Sequence, residues 1–201
     1  MTELIAVSRA GPIATVVLNR PEKLNALTKS MWRALGAASD ALSADDSLRC
    51  VILRGAGEKA FSAGNDIAEF ATERANKAQA IDYGRVMHAT ARALAHCRHP
   101  LVAQIHGICV GGGLEIAVLC DLRICGMSSR FGAPIKNLGL VMAYPEMAPL
   151  VRLAGAAAGA AAEAVAFGVE VPGAELVAVA ADQHAAAAEA GGGLAFGVVD
   201  V

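Results

Sequence analysis

Three consecutive glycines followed closely by a carboxylate stand near the middle of the chain, where residues 111–115 read G-G-G-L-E. The apolar run over 101–105 before them is typical of a short buried strand, and the apolar residues after Glu115 predict a short helix. A strand, a glycine turn and a helix N-terminus together present unpaired backbone N–H groups to an anion. Glycine permits both the required backbone angles and a close approach by a ligand. Because Glu115 would repel a bound anion, we expect this carboxylate to take part in chemistry.

A second loop of small residues, S-A-G-N-D over 62–66, also stands between a strand and a helical turn. Residues 63–65 can supply one N–H group and residues 111–113 another, which together form an oxyanion site for a thioester enolate. Glu115, about one turn into its helix, is placed to act as a general acid or base on a carbon or a water. A glycine triplet before a helix also occurs where a helix simply packs tightly on a strand, so the triplet alone does not establish function.

Alternating strands and helices must position these two loops. The pattern predicts strands over 4–8, 13–18, 50–53, 101–105 and 122–125. It predicts helices over 29–43, 75–96 and 144–153, and Thr28 is the predicted N-cap of the first. The predicted buried face of the second helix includes Ile81, Met87, Ala91 and Leu94. This order indicates an α/β fold with ligands bound at the glycine-rich loops.

Taken together, the two loops resemble the enoyl-CoA hydratase/isomerase (crotonase) family. Residues 102–122 fit that family's signature, a G-x(3)-G-G-G core followed by an apolar helix and a small residue before Asp121. Three further motifs match in family order: V-V-L-N-R-P-E-K-L-N-A-L (16–27), K-A-F-S-A-G-N-D-I (59–67) and F-G-A-P…L-G-L (131–140). The resemblance covers the chain from about residue 3 to 155.

The resemblance implies an α/β crotonase-like ββα spiral fold, an acyl-CoA substrate, and homotrimers or homohexamers. The oxyanion donors are expected to be the backbone N–H groups of Asn65 and Gly112, with Glu115 matching one of two catalytic glutamates. The residues expected to contact coenzyme A are Lys23, Leu24, Ala26, Ala63, Asp66 and Ile67. Coenzyme A would enter as part of the substrate, and we expect no permanently bound cofactor and no metal.

The family pattern is broken at the second catalytic glutamate, where this chain has Ile135. Ala143 occupies the position where some relatives place a catalytic aspartate, and the nearest spare carboxylate is Glu146. Sequence leaves open whether Glu146 faces the site, solvent or a subunit contact. The interpretation that follows is hydration or double-bond isomerisation of an enoyl-CoA. A crotonase-fold decarboxylase, a thioester hydrolase and an inactive acyl-CoA-binding fragment stay as alternatives.

Composition excludes several other classes of protein. Hydrophobic residues make up 55% and charged residues 18% of 201 residues, and the net charge of −2 argues against a nucleic-acid partner. No apolar run is long enough to span a membrane and no signal pattern opens the chain, so we expect a cytoplasmic protein. The five cysteines form no C-x-x-C pair and are predicted to be reduced. The sequence contains neither of the glycine motifs that bind nucleotide phosphates, G-x-x-x-x-G-K-[ST] and G-x-G-x-x-G.

The character of the sequence changes after residue 155. The 17 Lys and Arg residues all precede this point, whereas six of the 19 acidic residues follow it, among many alanines and glycines. We therefore predict a crotonase-like core domain over 1–155 and an Ala/Gly-rich, truncated or divergent tail over 156–201. A shifted reading frame and a divergent replacement both account for such a composition.

Overall fold

Two β-sheets form the framework of the part of the chain that the computed structural model describes, residues 3–134, 143–154 and 176–180. The strands, in chain order, are β1 (Ile5–Ala10), β2 (Ile13–Leu18), β3 (Cys50–Gly55), β4 (Ala60–Ser62), β5 (Leu101–Ile105), β6 (Ile108–Val110), β7 (Leu122–Gly126), β8 (Arg130–Gly132) and β9 (Leu176–Ala180). The larger sheet has the order β1-β2-β3-β5-β7-β9, and the smaller has the order β4-β6-β8. The strands predicted over 13–18 and 101–105 are confirmed at both ends.

Parallel pairing dominates both sheets. In the larger sheet β2, β3, β5 and β7 run parallel, whereas β1 and β9 pair antiparallel at the two edges. All pairs of the smaller sheet are parallel. Parallel strands require crossover connections, and the helices supply several of them. The predicted α/β class is therefore observed.

Five helices accompany the sheets in the described ranges: α1 (Lys29–Ser43), α2 (Phe70–Glu73), α3 (Lys77–Ala95), α4 (Gly112–Leu119) and α5 (Tyr144–Ala154). Helix α1 begins where predicted, because the Thr28 hydroxyl accepts a hydrogen bond of 3.2 Å from the Met31 N–H. Helix α4 is apolar on nearly every side and is buried. Its N-terminus therefore has a fixed position in the core.

Helix α3 turns most of its predicted face to the core, but not at its N-terminal end. Its buried residues are Tyr83, Met87, Thr90 and Leu94, so the prediction is confirmed for Met87 and Leu94. Ile81 is 45% exposed, and its predicted burial is wrong. It stands two positions before Tyr83, which places it about 200° around the helix on the opposite side.

Three further sequence expectations concern the cysteines, membrane-spanning helices and the residues after 155. No disulfide joins the cysteines of the described ranges, and Cys109 and Cys120 are buried. No helix in the described ranges has the length and hydropathy required to cross a membrane. Strand β9 lies within the predicted tail and pairs with β7. The short helices considered over 156–166 and 182–190 lie outside the described residues, and the domain boundary at 155 stays a prediction.

Candidate active site

The two glycine-rich loops meet because the strands before them are neighbours. Strands β4 and β6 pair in parallel, with Ala60 opposite Ile108 and Ser62 opposite Cys109, so the loops at their carboxyl ends lie side by side. Gly64, at φ +90°, touches the other loop: a Cβ atom there would lie 2.9 Å from the Val110 carbonyl oxygen and 3.2 Å from the Gly112 nitrogen. Only glycine permits both this backbone angle and this approach.

Helix α4 begins directly at this contact. Gly111 is its N-cap at φ +51° and has no side chain with which to cap the helix. Its carbonyl oxygen accepts the first helical hydrogen bond, 3.0 Å from the Glu115 nitrogen. A Cβ atom at Gly113 would lie 2.7 Å from the Ser62 carbonyl oxygen, so the absence of side chains lets the helix start press against β4. The first N–H groups of a helix have no partner within the helix.

The backbone of Asn65 lies beside Leu27, which bonds to the residues on either side of Asn65 and not to the Asn65 N–H. The Leu27 N–H donates to the Gly64 carbonyl at 2.7 Å, and the Asp66 N–H donates to the Leu27 carbonyl at 2.8 Å. These bonds fix the backbone on both sides of Asn65, while the Trp32 indole N–H donates to the Asn65 side-chain oxygen at 2.7 Å. The backbone N–H groups of Asn65 and Gly112 donate no hydrogen bond to any described residue.

The residues that carry these two N–H groups line a small pocket together with Glu115. Asn65, Gly112 and Glu115 all line a pocket of about 100 Å³, together with Ala63, Gly64, Ile67, Phe70, Val110, Gly111 and Pro134. The structure thus brings together the three residues that sequence analysis placed at the chemical centre. Two donors that converge beside a carboxylate can bind an oxyanion while the carboxylate exchanges a proton with a nearby atom.

Glu115 has an environment that favours its neutral form. The pKa of its carboxyl is raised to about 8, chiefly by burial and further by the charge of Glu146, while the charge of Arg74 lowers it. A small part of Glu115 remains accessible where it lines the pocket. The carboxyl is therefore mostly protonated at pH 7 and can either donate or accept a proton near that pH.

A larger cleft begins on the other side of Glu115. It has a volume of about 360 Å³ and is lined by Trp32, Met87, His88, Ala91, Arg92, Ala95, Glu115, Leu119, Pro145, Glu146, Pro149 and Arg152. Helices α3, α4 and α5 form its walls. Apolar side chains make up most of the lining, which suits a hydrocarbon chain that enters past Glu115.

Glu146 faces this cleft, which answers the question that the sequence left open. One of its oxygens, Oε1, lies 3.2 Å from His88 Nε2, and the other, Oε2, accepts a 2.9 Å hydrogen bond from the Ala143 N–H. Sequence analysis did not single out His88, because its partner stands 58 positions away and no local pattern links the two. Ile135, the position of the missing second glutamate, lies outside the described residues.

The residues expected to contact coenzyme A are divided between the pocket and its rim. Ala63 and Ile67 line the pocket, and Ile67 is 58% exposed. Lys23, Leu24 and Ala26 belong to the adjoining loop, which is joined to the pocket by a 2.9 Å hydrogen bond from the Ala63 N–H to the Leu24 carbonyl.

Asp66 stands beside that loop and pairs with Arg20. Its Oδ2 atom accepts a 2.7 Å hydrogen bond from the guanidinium, which lowers the pKa of this carboxyl, with the charge of Lys23 lowering it further. The exposed Lys23 and the guanidinium of Arg20 therefore surround this carboxylate with positive charge at the edge of the site.

Two histidines that follow α3, His96 and His99, have local structural roles. His96 caps the C-terminus of α3, with Nδ1 2.8 Å from the Arg92 carbonyl. His99 instead contacts the Asp45 carbonyl through Nε2 at 2.9 Å. Within the described ranges no three His, Cys, Asp or Glu side chains are grouped as a metal site would require.

Comparison with known proteins places these features in a family. The family model described as enoyl-CoA hydratase/isomerase matches residues 8–183. The chain is 34% identical over 151 residues to a short-chain-enoyl-CoA hydratase of Clostridium acetobutylicum, covering 75% of this chain and 57% of that relative. It is 31% identical over 153 residues to a crotonyl-CoA hydratase of Syntrophomonas wolfei, covering 76% of this chain and 58% of the relative.

Solved structures agree with the sequence comparisons. A crystal structure of an enoyl-CoA hydratase/carnithine racemase from Magnetospirillum magneticum superimposes with a TM-score of 0.79 at 49% identity, covering 82% of this chain and 61% of that one. The chain thus spans less than two thirds of the length of these relatives. The family match and the shared fold confirm the resemblance: the chain belongs to the enoyl-CoA hydratase/isomerase, or crotonase, family and has the α/β crotonase fold.

Proposed function

We propose that the chain is an acyl-CoA enzyme that stabilises a thioester enolate and thereby hydrates an enoyl-CoA or shifts its double bond. The observation that carries this proposal is that Asn65, Gly112 and Glu115 line one pocket, while the backbone N–H groups of Asn65 and Gly112 have no hydrogen-bond partner among the described residues. The substrates named for the hydratases of the family support the choice of an enoyl-CoA thioester.

The N–H groups would act on the thioester oxygen. When a nucleophile adds to the β-carbon, or a proton leaves the carbon chain, negative charge collects on that oxygen. Two fixed N–H donors stabilise this charge without reorganising, and removal of one such donor typically costs about 3 kcal/mol in the barrier. The partial positive charge at the N-terminus of α4 adds to the effect at Gly112.

Glu115 would exchange the proton on carbon. Its pKa near 8 leaves both protonation states accessible at neutral pH, which suits a group that donates a proton in one step and recovers it in the next. Because Glu115 lines both the oxyanion pocket and the larger cleft, it lies between the thioester oxygen and the acyl chain. A double-bond shift requires only this carboxyl and the two N–H groups.

Coenzyme A would lie along the rim formed by Lys23, Leu24, Ala26, Ala63, Asp66 and Ile67. The basic side chains of Lys23 and Arg20 favour its phosphate groups. We propose that coenzyme A takes part only as a portion of the substrate, and that core domains of residues 1–155 associate as homotrimers or homohexamers.

The proposal is tested by comparing two substrates. Crotonyl-CoA reports hydration, and the non-conjugated 3-butenoyl-CoA reports isomerisation. We expect turnover of at least one by the full chain, and a loss of about 100-fold or more in Glu115→Gln, which keeps the shape of the side chain but cannot transfer the proton. The matched control is Glu58→Gln, an exposed carboxyl. Near-normal turnover by Glu115→Gln would exclude the assigned role.

A further inference from the structure

A second carboxyl group, that of Glu146, lines the large cleft together with Glu115. Glu146 and Glu115 both line this cleft, and they are close enough for the charge of one to affect the other. Glu146 is held at two points, by His88 through Oε1 and by the Ala143 N–H through Oε2. Only 20% of its side chain is exposed. The carboxylate therefore has a defined orientation at the cleft wall.

Helix capping explains only part of this arrangement. The Ala143 N–H and the Glu146 side chain form the reciprocal bond of a capping box, with the Glu146 N–H donating back to the Ala143 carbonyl at 3.0 Å. A carboxylate has about four acceptor positions, and the cap uses one. The contact with His88 joins α5 to α3 across the cleft, which capping does not require.

We propose, on the basis of the function proposed above, that Glu146 is the general base that activates water for addition to the enoyl-CoA, and that His88 is its positioning residue. The two carboxyl groups would then divide the proton transfers. Glu146 is held by one contact at each oxygen, which leaves further acceptor positions on the carboxylate for a proton from water. Glu115 lies in the more buried position and is the proton donor.

The proposed steps balance in atoms and charge. The Glu146 carboxylate takes a proton from water while the water oxygen forms a bond to the β-carbon of the enoyl thioester. The electrons of the carbon–carbon double bond move toward the carbonyl, and the enolate oxygen is held by the N–H groups of Asn65 and Gly112. Glu115 then donates its proton to the α-carbon, the carbonyl re-forms, and solvent returns the proton from Glu146 to Glu115. The product is a 3-hydroxyacyl-CoA.

The other charged groups of the cleft are compatible with this division. Arg92 and Arg152 line the cleft, and both residues are exposed. Both guanidinium groups are positively charged and stand on the same cleft as the Glu146 carboxyl. His88 is the side chain that contacts Glu146 in the described ranges, with 3.2 Å between Nε2 and Oε1.

The test separates water activation from enolate formation. Butyryl-CoA in D₂O exchanges its α-protons through Glu115 and the oxyanion site alone, whereas crotonyl-CoA hydration also requires the base. In Glu146→Gln the amide oxygen can still cap α5, so we expect an unchanged melting temperature. We expect hydration to fall about 100-fold and α-proton exchange to stay within about threefold of wild type. Hydration at the wild-type rate in Glu146→Gln, or exchange without hydration in wild type, would overturn the assignment.

The same pair of assays distinguishes failure of this inference from failure of the proposed function. If wild type binds butyryl-CoA but exchanges no α-proton, enolate formation itself is contradicted, and the role of Glu146 with it. His88 is tested by rescue: His88→Gln, which keeps an N–H donor, should hydrate crotonyl-CoA several-fold faster than His88→Ala at an unchanged KM. Equal rates in the two variants and wild type would remove His88 as a positioning residue.

Discussion

Replacing Gly64 by alanine should damage the oxyanion site more selectively than any change at its edges. The new Cβ atom would lie 2.9 Å from the Val110 carbonyl oxygen and 3.2 Å from the Gly112 nitrogen, at a backbone φ of +90°. The unfavourable backbone angle alone costs about 1–3 kcal/mol of stability. Relief of the contact requires the two loops to separate, which moves the Gly112 N–H away from the position of the thioester oxygen.

Loss of one aligned donor is worth about 3 kcal/mol, so kcat on the preferred enoyl-CoA should fall roughly 100-fold. We expect the Kd for butyryl-CoA to change much less, because the donors act mainly on the charge that develops during reaction. The matched control is Gly84→Ala in α3, where a Cβ atom would meet nothing within 4 Å. It should leave kcat unchanged and add about 1 kcal/mol of stability. Wild-type kcat in a folded Gly64→Ala would refute the placement of the donor.

Three further predictions concern the groups that support the site. Burial raises the pKa of Glu115 from its ordinary 4.5 to about 8, so the folded chain binds this proton more tightly than the unfolded chain and stability falls as pH rises from 4.5 to 8. Glu115→Gln should therefore raise the free energy of unfolding in urea by roughly a few kcal/mol at pH 8 and much less at pH 5. An equal effect at the two pH values would contradict the burial of the Glu115 carboxyl. Asn25→Ala should lower that free energy by about 3 kcal/mol, because buried Asn25 donates to the Ala56 and Ala60 carbonyls and accepts from the Arg20 N–H. Tyr83→Phe should leave the free energy of unfolding unchanged or raise it by about 1 kcal/mol, since the buried Tyr83 hydroxyl has no hydrogen-bond partner in the described ranges. A clear loss of stability in this variant would reveal a partner for the hydroxyl.

Local signals account for the elements that sequence predicted well. Thr28 begins α1 because its hydroxyl accepts from an N–H three residues ahead, and this is decided within one turn of chain. The oxyanion hypothesis drawn from the two glycine loops and the family resemblance agrees with the shared pocket of Asn65, Gly112 and Glu115. The short strands β4 and β6, which carry the two loops, were not predicted.

Long-range packing accounts for the features that sequence did not predict. The buried face of α3 depends on which helices pack against it, and periodicity alone misplaced Ile81. The contact of His88 with Glu146 joins residues on α3 and α5, and neither has a distinctive sequence neighbourhood. The indole of Trp32, which orients Asn65, would be assigned from sequence simply to the core side of α1. Polar contacts between distant elements leave no periodic signal.

The central claim is that the N–H groups of Asn65 and Gly112 receive a thioester oxygen. Infrared difference spectroscopy of bound butyryl-CoA, with ¹³C at the thioester carbonyl, measures this directly. Two aligned donors polarise the carbonyl, so we predict a bound carbonyl stretch at a clearly lower frequency than in solution for wild type and Gly84→Ala, and a smaller shift for Gly64→Ala. A carbonyl band at its solution frequency in the wild-type complex would contradict the account.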